Sequence, residues 1–170
     1  MVLVDENDNS LGILEKMEAH RKALLHRAVS VFLITNNGDW ILQRRSLGKY
    51  HSKGLWTNTC CTHPLPGESA PASAERRLYE EMGIRCNLTE IFSFIYREKL
   101  DEEMTEHELD HVFIGTTDCD PVINRDEVHE WKRISFDELN RDILKNPGNY
   151  TVWFQEIYAR VNSFIVKMKG

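Results

Sequence analysis

No apolar run in the 170-residue sequence approaches the ~18 residues a bilayer-spanning helix needs. The opening stretch MVLVDENDNS lacks the basic start and long apolar core of a secretory leader. The four cysteines, Cys60, Cys61, Cys86 and Cys119, form no CxxC pair and repeat no spacing, which argues against a zinc ribbon and a disulfide framework. Reduced thiols and a cytoplasmic location are therefore expected. Excess positive charge is missing too, with 21 Lys and Arg against 27 Asp and Glu and a net charge of −6. A nucleic-acid surface gathers Lys and Arg over a whole face, so no such partner is expected, and an anionic ligand has to meet a local group of cations. Repeats, low-complexity tracts and evident linkers are absent, which predicts one domain over residues 1–170.

What is present reads as strands mixed with a few helices. Two short apolar stretches flank a turn around Asp5, Asn7, Asp8, Asn9 and Ser10. The β-branched run HRAVSVFLIT, then Asn37-Gly38 and WILQRRS, predicts a strand pair over about 28–45. LWTNTCC reads as a further strand. Ser69 is placed to cap a helix that runs to about Met82, where Gly83 supplies the stop. LTEIFSFIYREKL and EHELDHVFIGTT read as strands joined by DEEMTE, so Glu106 and Glu108, two apart, share one face. VHEWKRISF is a strand, Ser135 and Glu138 form a capping box, and the tail from about Asn149 has helical apolar spacing.

Two stretches carry chemistry. TNTCCTHPLPGE holds a thiol, Cys61, two positions from an imidazole, His63. ESAPASAERRLYEEMG, Glu68 to Gly83, clusters glutamates with arginines on a helix. This second stretch resembles the Nudix box, spanning about 62–84, with matches at Glu68, Arg76, Leu78, Glu80, Glu81, Gly83 and Ile84. Two positions depart from it: Thr62 stands where the box opens with glycine, and Arg77 where it has glutamate. Together with LEKMEAH, RRSLGKYHSKGLWTN, CTHP, HELDHVF and the tryptophan of YTVWF, the chain resembles the type I isopentenyl-diphosphate isomerases over nearly its whole length. These are Nudix-fold proteins that move a double bond and do not hydrolyse the diphosphate.

That resemblance implies a single α/β (α+β) domain, a mixed β-sheet flanked by helices, acting on a prenyl diphosphate away from any membrane as a monomer or weak homodimer. It implies metal ligation by His20, His26, His63, Glu106 and Glu108, a nitrogen and oxygen set suited to Mn²⁺, Mg²⁺ or Zn²⁺, with Glu81 helping to hold Mg²⁺ brought by the substrate. Lys16, Arg45, Lys49 and Arg77 are implied around the diphosphate, and Tyr96 and Trp153 at the hydrocarbon end. Cys61 and Glu108 are implied as the proton carriers, Glu108 donating with help from Tyr96 and Cys61 acting as a thiolate. The segment carrying Lys16 and His20 is expected to be a lid that metal ligation orders. Nothing supports a role for His51, His107, His111 or His129. The competing expectation is a Nudix hydrolase of a nucleoside or prenyl diphosphate, against which Arg77 speaks, because a guanidinium fork grips phosphate where hydrolysis wants a carboxylate. A silent metal- or nucleotide-binding module is the third, against which the intact set of acid, base and metal ligands stands.

Overall fold

The computed structural model describes residues 1–49, 51–100 and 102–169; Tyr50 of the loop after Arg45 and Asp101 of the DEEMTE connector lie outside them. The order is β1 (Val2–Val4), β2 (Ser10–Ile13), α1 (Lys16–Arg21), β3 (His26–Ile34), β4 (Trp40–Arg45), β5 (Trp56–Thr57), β6 (Cys60–Thr62), α2 (Ala70–Met82), β7 (Leu88–Lys99), β8 (Thr105–Thr116), β9 (Val128–Ile134), α3 (Phe136–Lys145) and α4 (Val152–Lys169). Among the described residues the strands form one mixed sheet around β3. β8 runs parallel to β3 along the whole length of that strand, from His26 opposite Glu108 to Ile34 opposite Thr116. The other edge of β3 is shared by β1, β6 and β4 in turn.

β3 can lie at the centre because nearly every residue of VSVFLI is apolar, as a strand buried on both faces requires. Alternate side chains then meet two different cores. Val29, Val31 and Leu33 pack with Cys60 under α2, through Ala74, Leu78 and Met82. Phe32 and Ile34 pack with Trp40 under α4, through Trp153, Phe154, Ile157 and Val161.

The helix expected after Ser69 is α2. Ser69 Oγ accepts the Ala72 N–H at 3.3 Å, and Gly83 ends the helix in the left-handed region at φ 67°. A Cβ at Gly83 would meet the Val122 carbonyl at 2.7 Å, so this position needs glycine on two counts. The capping box at Ser135 is formed in full.

LWTNTCC is not one strand but two short pieces, β5 and β6, because polar side chains take over the ladder between them. Asn58 Nδ2 donates to the Val31 and Cys60 carbonyls, and Thr59 Oγ1 accepts from Leu33 N–H and donates to the Ile41 carbonyl. In the N-terminal segment β1 pairs with β3, Glu15 caps α1 by accepting the Glu18 N–H, and His20 is fully buried.

The Nudix-like loop is clamped by one bidentate pair. Arg76 Nε donates to Glu68 Oε1 at 2.6 Å and Arg76 Nη2 to Oε2 at 2.9 Å, while Leu65 N–H donates to the same carboxylate. The Arg76 bonds hold the Glu68 carboxyl at about 2, below its ordinary 4.5. A depressed carboxylate stabilises the fold fully above its ordinary value and loses that contribution as pH falls toward its folded value. Glu68→Gln is therefore expected to cost about 1 to 2 kcal/mol at pH 7 after allowance for screening. It should also flatten the loss of stability between pH 4.5 and 2, measured by urea unfolding at a series of pH values.

Candidate active site

The parallel register of β3 and β8 and the antiparallel register of β7 and β8 assemble the site. His26 stands opposite Glu108, and Tyr96 stands opposite the same Glu108 from the other side. Glu106 follows on the same face of β8, as the two-residue spacing predicts. His20 arrives from α1, and His63 from the residue after β6. One donor atom from each of His20, His26, His63, Glu106 and Glu108 lies within 4.8 Å of all the others. Opposite ligands at about 2.1 Å from one ion stand about 4.2 Å apart, so the five donors are gathered closely enough to converge on a single ion with a modest contraction.

The hydrogen bonds prepare these imidazoles as ligands. His20 Nδ1–H donates to the Lys16 carbonyl at 2.7 Å and His26 Nδ1–H to the Leu24 carbonyl at 2.8 Å. A carbonyl can only accept, so in the neutral rings each Nε2 carries a lone pair. His26 Nε2 is buried with no hydrogen bond, 3.4 Å from Glu108 Oε1. Two acceptors facing each other in a buried site are unfavourable unless a cation lies between them. Burial also keeps the imidazoles neutral: it lowers His20, and it lowers His63 to about 4 against the opposing pull of Glu108. The residues thus fit a divalent cation.

The two carboxylates differ. Burial, and then the charge of Glu108, raises Glu106 above the usual carboxylate range. Burial works the same way on Glu108, and the bond with His63 opposes it. Glu108 Oε1 lies 2.7 Å from His63 Nε2, and Glu108 Oε2 accepts the Tyr96 hydroxyl at 2.6 Å.

A cavity of about 360 Å³ opens beside this cluster, and Glu106, Glu108, His63 and Tyr96 form one part of its wall. Cys61 and Trp153 form another, over a floor that includes Ala28 and Ser30. β8 occupies one edge of β3, so β6, which pairs with Val29–Val31, must run along the other edge. Cys61 sits opposite Ser30, with its side chain on the face that also carries His26 and Glu108. Cys61 and Glu108 therefore rise on either side of β3 across a shallow trough. Cys60 faces the opposite core, as strand alternation predicts.

Burial, reinforced by the Asp110 charge, pushes the Cys61 thiol up to about 12, and its Sγ lies 2.9 Å from Asn58 Oδ1. Trp153 Nε1–H lies 3.2 Å from the sulfur and 3.0 Å from Thr57 Oγ1, which fixes the indole against the thiol.

The four expected cations, Lys16, Arg45, Lys49 and Arg77, all line the cavity. Arg45 lies over the Trp153 ring, 5.2 Å from its centroid. Burial, opposed by Glu106, lowers Lys16 from the usual lysine value. Arg77 pairs with Glu81 and donates to Glu80 at 2.9 Å. Glu81 stands outside the five-residue cluster, buried, with Gln43 Nε2 donating to it at 2.8 Å. Two wall-side groups were not legible from motifs. Glu127 pairs with Lys49 and lies 3.4 Å from Arg77 Nη2. His51 lines the cavity with its Nε2 3.5 Å from Glu106 Oε1.

Known proteins agree with this architecture. The NUDIX domain family matches residues 24–154. An isopentenyl-diphosphate Delta-isomerase of Pectobacterium atrosepticum is 49% identical over 96% of this chain and 92% of its own length. An isopentenyl-diphosphate Delta-isomerase 2 of Aromatoleum aromaticum is 48% identical over 96% of this chain and 86% of its own. Among solved structures, the protein DR0079 of Deinococcus radiodurans superposes with a TM-score of 0.71 at 21% identity, over 85% of this chain and 88% of that one. A MutT protein of Methanosarcina mazei gives 0.66 at 20% identity, over 82% and 94%. At such identities the structures report the fold alone, whereas the sequence relatives reach further. The chain belongs to the Nudix superfamily and, within it, to the isopentenyl-diphosphate Delta-isomerase family.

Proposed function

We propose that this chain interconverts isopentenyl and dimethylallyl diphosphate, with a divalent cation in the His/Glu cluster and Mg²⁺ accompanying the diphosphate. The observation that carries this reading is a thiol and a carboxyl on strands along opposite edges of β3, both lining one cavity of about 360 Å³. The reaction adds a proton to the terminal methylene carbon, passes through a tertiary carbocation, and removes a proton from the carbon next to the diphosphate-bearing one. One carrier must be loaded and the other empty when substrate binds. A Cys61 thiol facing an ionised Glu108 would meet that condition. The assignment that the resemblance implied, a loaded Glu108 and a Cys61 thiolate, is the same pair after one proton has crossed.

The other residues follow from this chemistry. Tyr96 holds Glu108 by a hydrogen bond and can pass a proton to it. The indole of Trp153 faces the hydrocarbon and offers a cation attraction of about 0.5 to 2 kcal/mol. Lys16, Arg45, Lys49 and Arg77 hold the diphosphate, and a small group of cations in one cleft explains how a protein of net charge −6 receives an anion. His20, His26, His63, Glu106 and Glu108 would hold Mn²⁺, Mg²⁺ or Zn²⁺, which would withdraw electron density from the Glu108 carboxyl and strengthen it as an acid. Glu81 would hold the Mg²⁺ delivered with substrate. A single-domain protein, monomeric or weakly dimeric, cytoplasmic and without nucleic-acid or membrane partners completes the reading. Among the described residues no helix is long and apolar enough to cross a membrane.

Hydrolysis is disfavoured by the state of the box. Glu68 is clamped by Arg76, and Arg77, which lines the cavity, stands where the box has a glutamate, so one carboxylate of a hydrolase's metal set is replaced by a guanidinium. With isopentenyl diphosphate, Mg²⁺ and Mn²⁺, the expected result is dimethylallyl diphosphate without release of phosphate or pyrophosphate. Phosphate release without the isomer would overturn the reading.

A further inference from the structure

His51 has no place among the residues considered so far. It lies in the loop between β4 and β5 that also carries Lys49, yet its side chain is only 9% exposed. Several contacts hold it inward. Nε2 approaches Glu106 Oε1 at 3.5 Å, while His20 Nε2 lies 3.1 Å from the other oxygen of the same carboxylate. The ring stands edge-on to Trp153, centroids 5.9 Å apart at 78°. Nδ1 lies 3.1 Å from Ser52 Oγ, and the His51 carbonyl accepts from Arg45 Nη2 at 3.4 Å. When Ser52 donates to Nδ1, the neutral ring carries its proton on Nε2, facing Glu106. Burial, with the charges of Arg45 and Lys16, keeps the ring neutral.

We infer that His51 is a positioning residue: it orients the Glu106 carboxylate toward the cation and, through the same contact, pins the Lys49 loop against Trp153. This rests on the reading of the His/Glu cluster as a cation centre. A carboxylate with one oxygen toward the cluster and the other toward an N–H is restrained about its terminal torsion, and outer groups of this kind typically contribute 10- to 100-fold in metal affinity. Because the loop carries a diphosphate-binding lysine, cation loading and diphosphate binding are linked through one side chain. The link is reciprocal, since a coupling between two ligands acts equally in both directions.

Calorimetric titration of Mn²⁺ into the metal-stripped full chain tests this without any assay of turnover. His51→Ala should weaken Mn²⁺ binding about 10- to 100-fold. At saturating Mn²⁺ it should raise KM for isopentenyl diphosphate about 10-fold while kcat stays within about 3-fold, the split expected when uniform binding is lost. His51→Gln, whose amide N–H can reach the place of Nε2, should recover Mn²⁺ affinity to within about 3-fold of the original chain. Wild-type affinity in His51→Ala, or equal weakness in both variants, would overturn the inference. An unsubstituted chain that binds no Mn²⁺ would instead overturn the cation-centre reading beneath it, and one that binds Mn²⁺ but forms no isomer would overturn the proposed function.

Discussion

Cys61→Ala is expected to lower kcat for isomerisation by about 10³-fold or more and to leave the melting temperature within a few degrees. A positioned proton carrier contributes about 10²- to 10⁴-fold. Among the described residues the hydroxyls of Ser30 and Thr57 stand 3.9 Å from the sulfur, and both are engaged elsewhere, Ser30 donating to Asp110 at 2.7 Å and Thr57 to Asn58 at 2.9 Å. The neighbouring cysteine supplies an internal control. Cys60 is fully buried under α2 on the opposite face of the sheet, so Cys60→Ala should cost about 1 kcal/mol of stability and little turnover. Kinetics and urea unfolding of both variants check the pair; equal losses of turnover would mean that burial and not proton transfer explains Cys61.

Glu108→Gln is expected to match that loss, and comparison with Glu106→Gln separates two roles that the site combines. Both carboxylates belong to the His/Glu cluster, and among the described residues it is Glu108 that receives the Tyr96 hydroxyl. A glutamine at either position weakens the cluster. At position 108 it also removes a group that can gain and lose a proton. Raising Mn²⁺ should therefore restore most of the turnover of Glu106→Gln, whereas Glu108→Gln should remain about 10³-fold slow at any Mn²⁺ concentration. Recovery of both variants with metal would reduce Glu108 to a ligand.

Local patterns made much of the fold legible. The β-branched run at His26–Ile34, the Asn37-Gly38 turn, the Ser69 and Gly83 ends of α2 and the Ser135 capping box all depend on neighbours in sequence. Helix α1 escaped because six residues cannot nucleate a helix alone; burial of Ala19 and His20 holds it in place. The break between β5 and β6 escaped because Asn58 and Thr59 replace ladder bonds with side-chain bonds to β3 and β4, distant in sequence.

The site divides the same way. The shared face of Glu106 and Glu108 followed from a two-residue spacing, and the roles of His20, His26, His63 and Cys61 from the family resemblance. Their convergence needed the parallel pairing of β3 with β8, which no local pattern encodes. His51 lay within the matched stretch RRSLGKYHSKGLWTN without a role and Glu127 in no motif, because only the folded chain brings them to Glu106 and Lys49. Burial of Cys61 near Asp110, which favours its neutral form, likewise depends on the fold and not on any local pattern.

Two distinct proton carriers on opposite walls of the trough require that the hydrogen gained by the terminal carbon differ from the one lost beside the diphosphate-bearing carbon. Turnover of isopentenyl diphosphate in heavy water, followed by NMR from the first turnovers, tests this most directly. The predicted product is dimethylallyl diphosphate with one deuterium in the newly formed methyl group. Unlabelled product, formed by one base returning the same hydrogen, would contradict the roles given to Cys61 and Glu108.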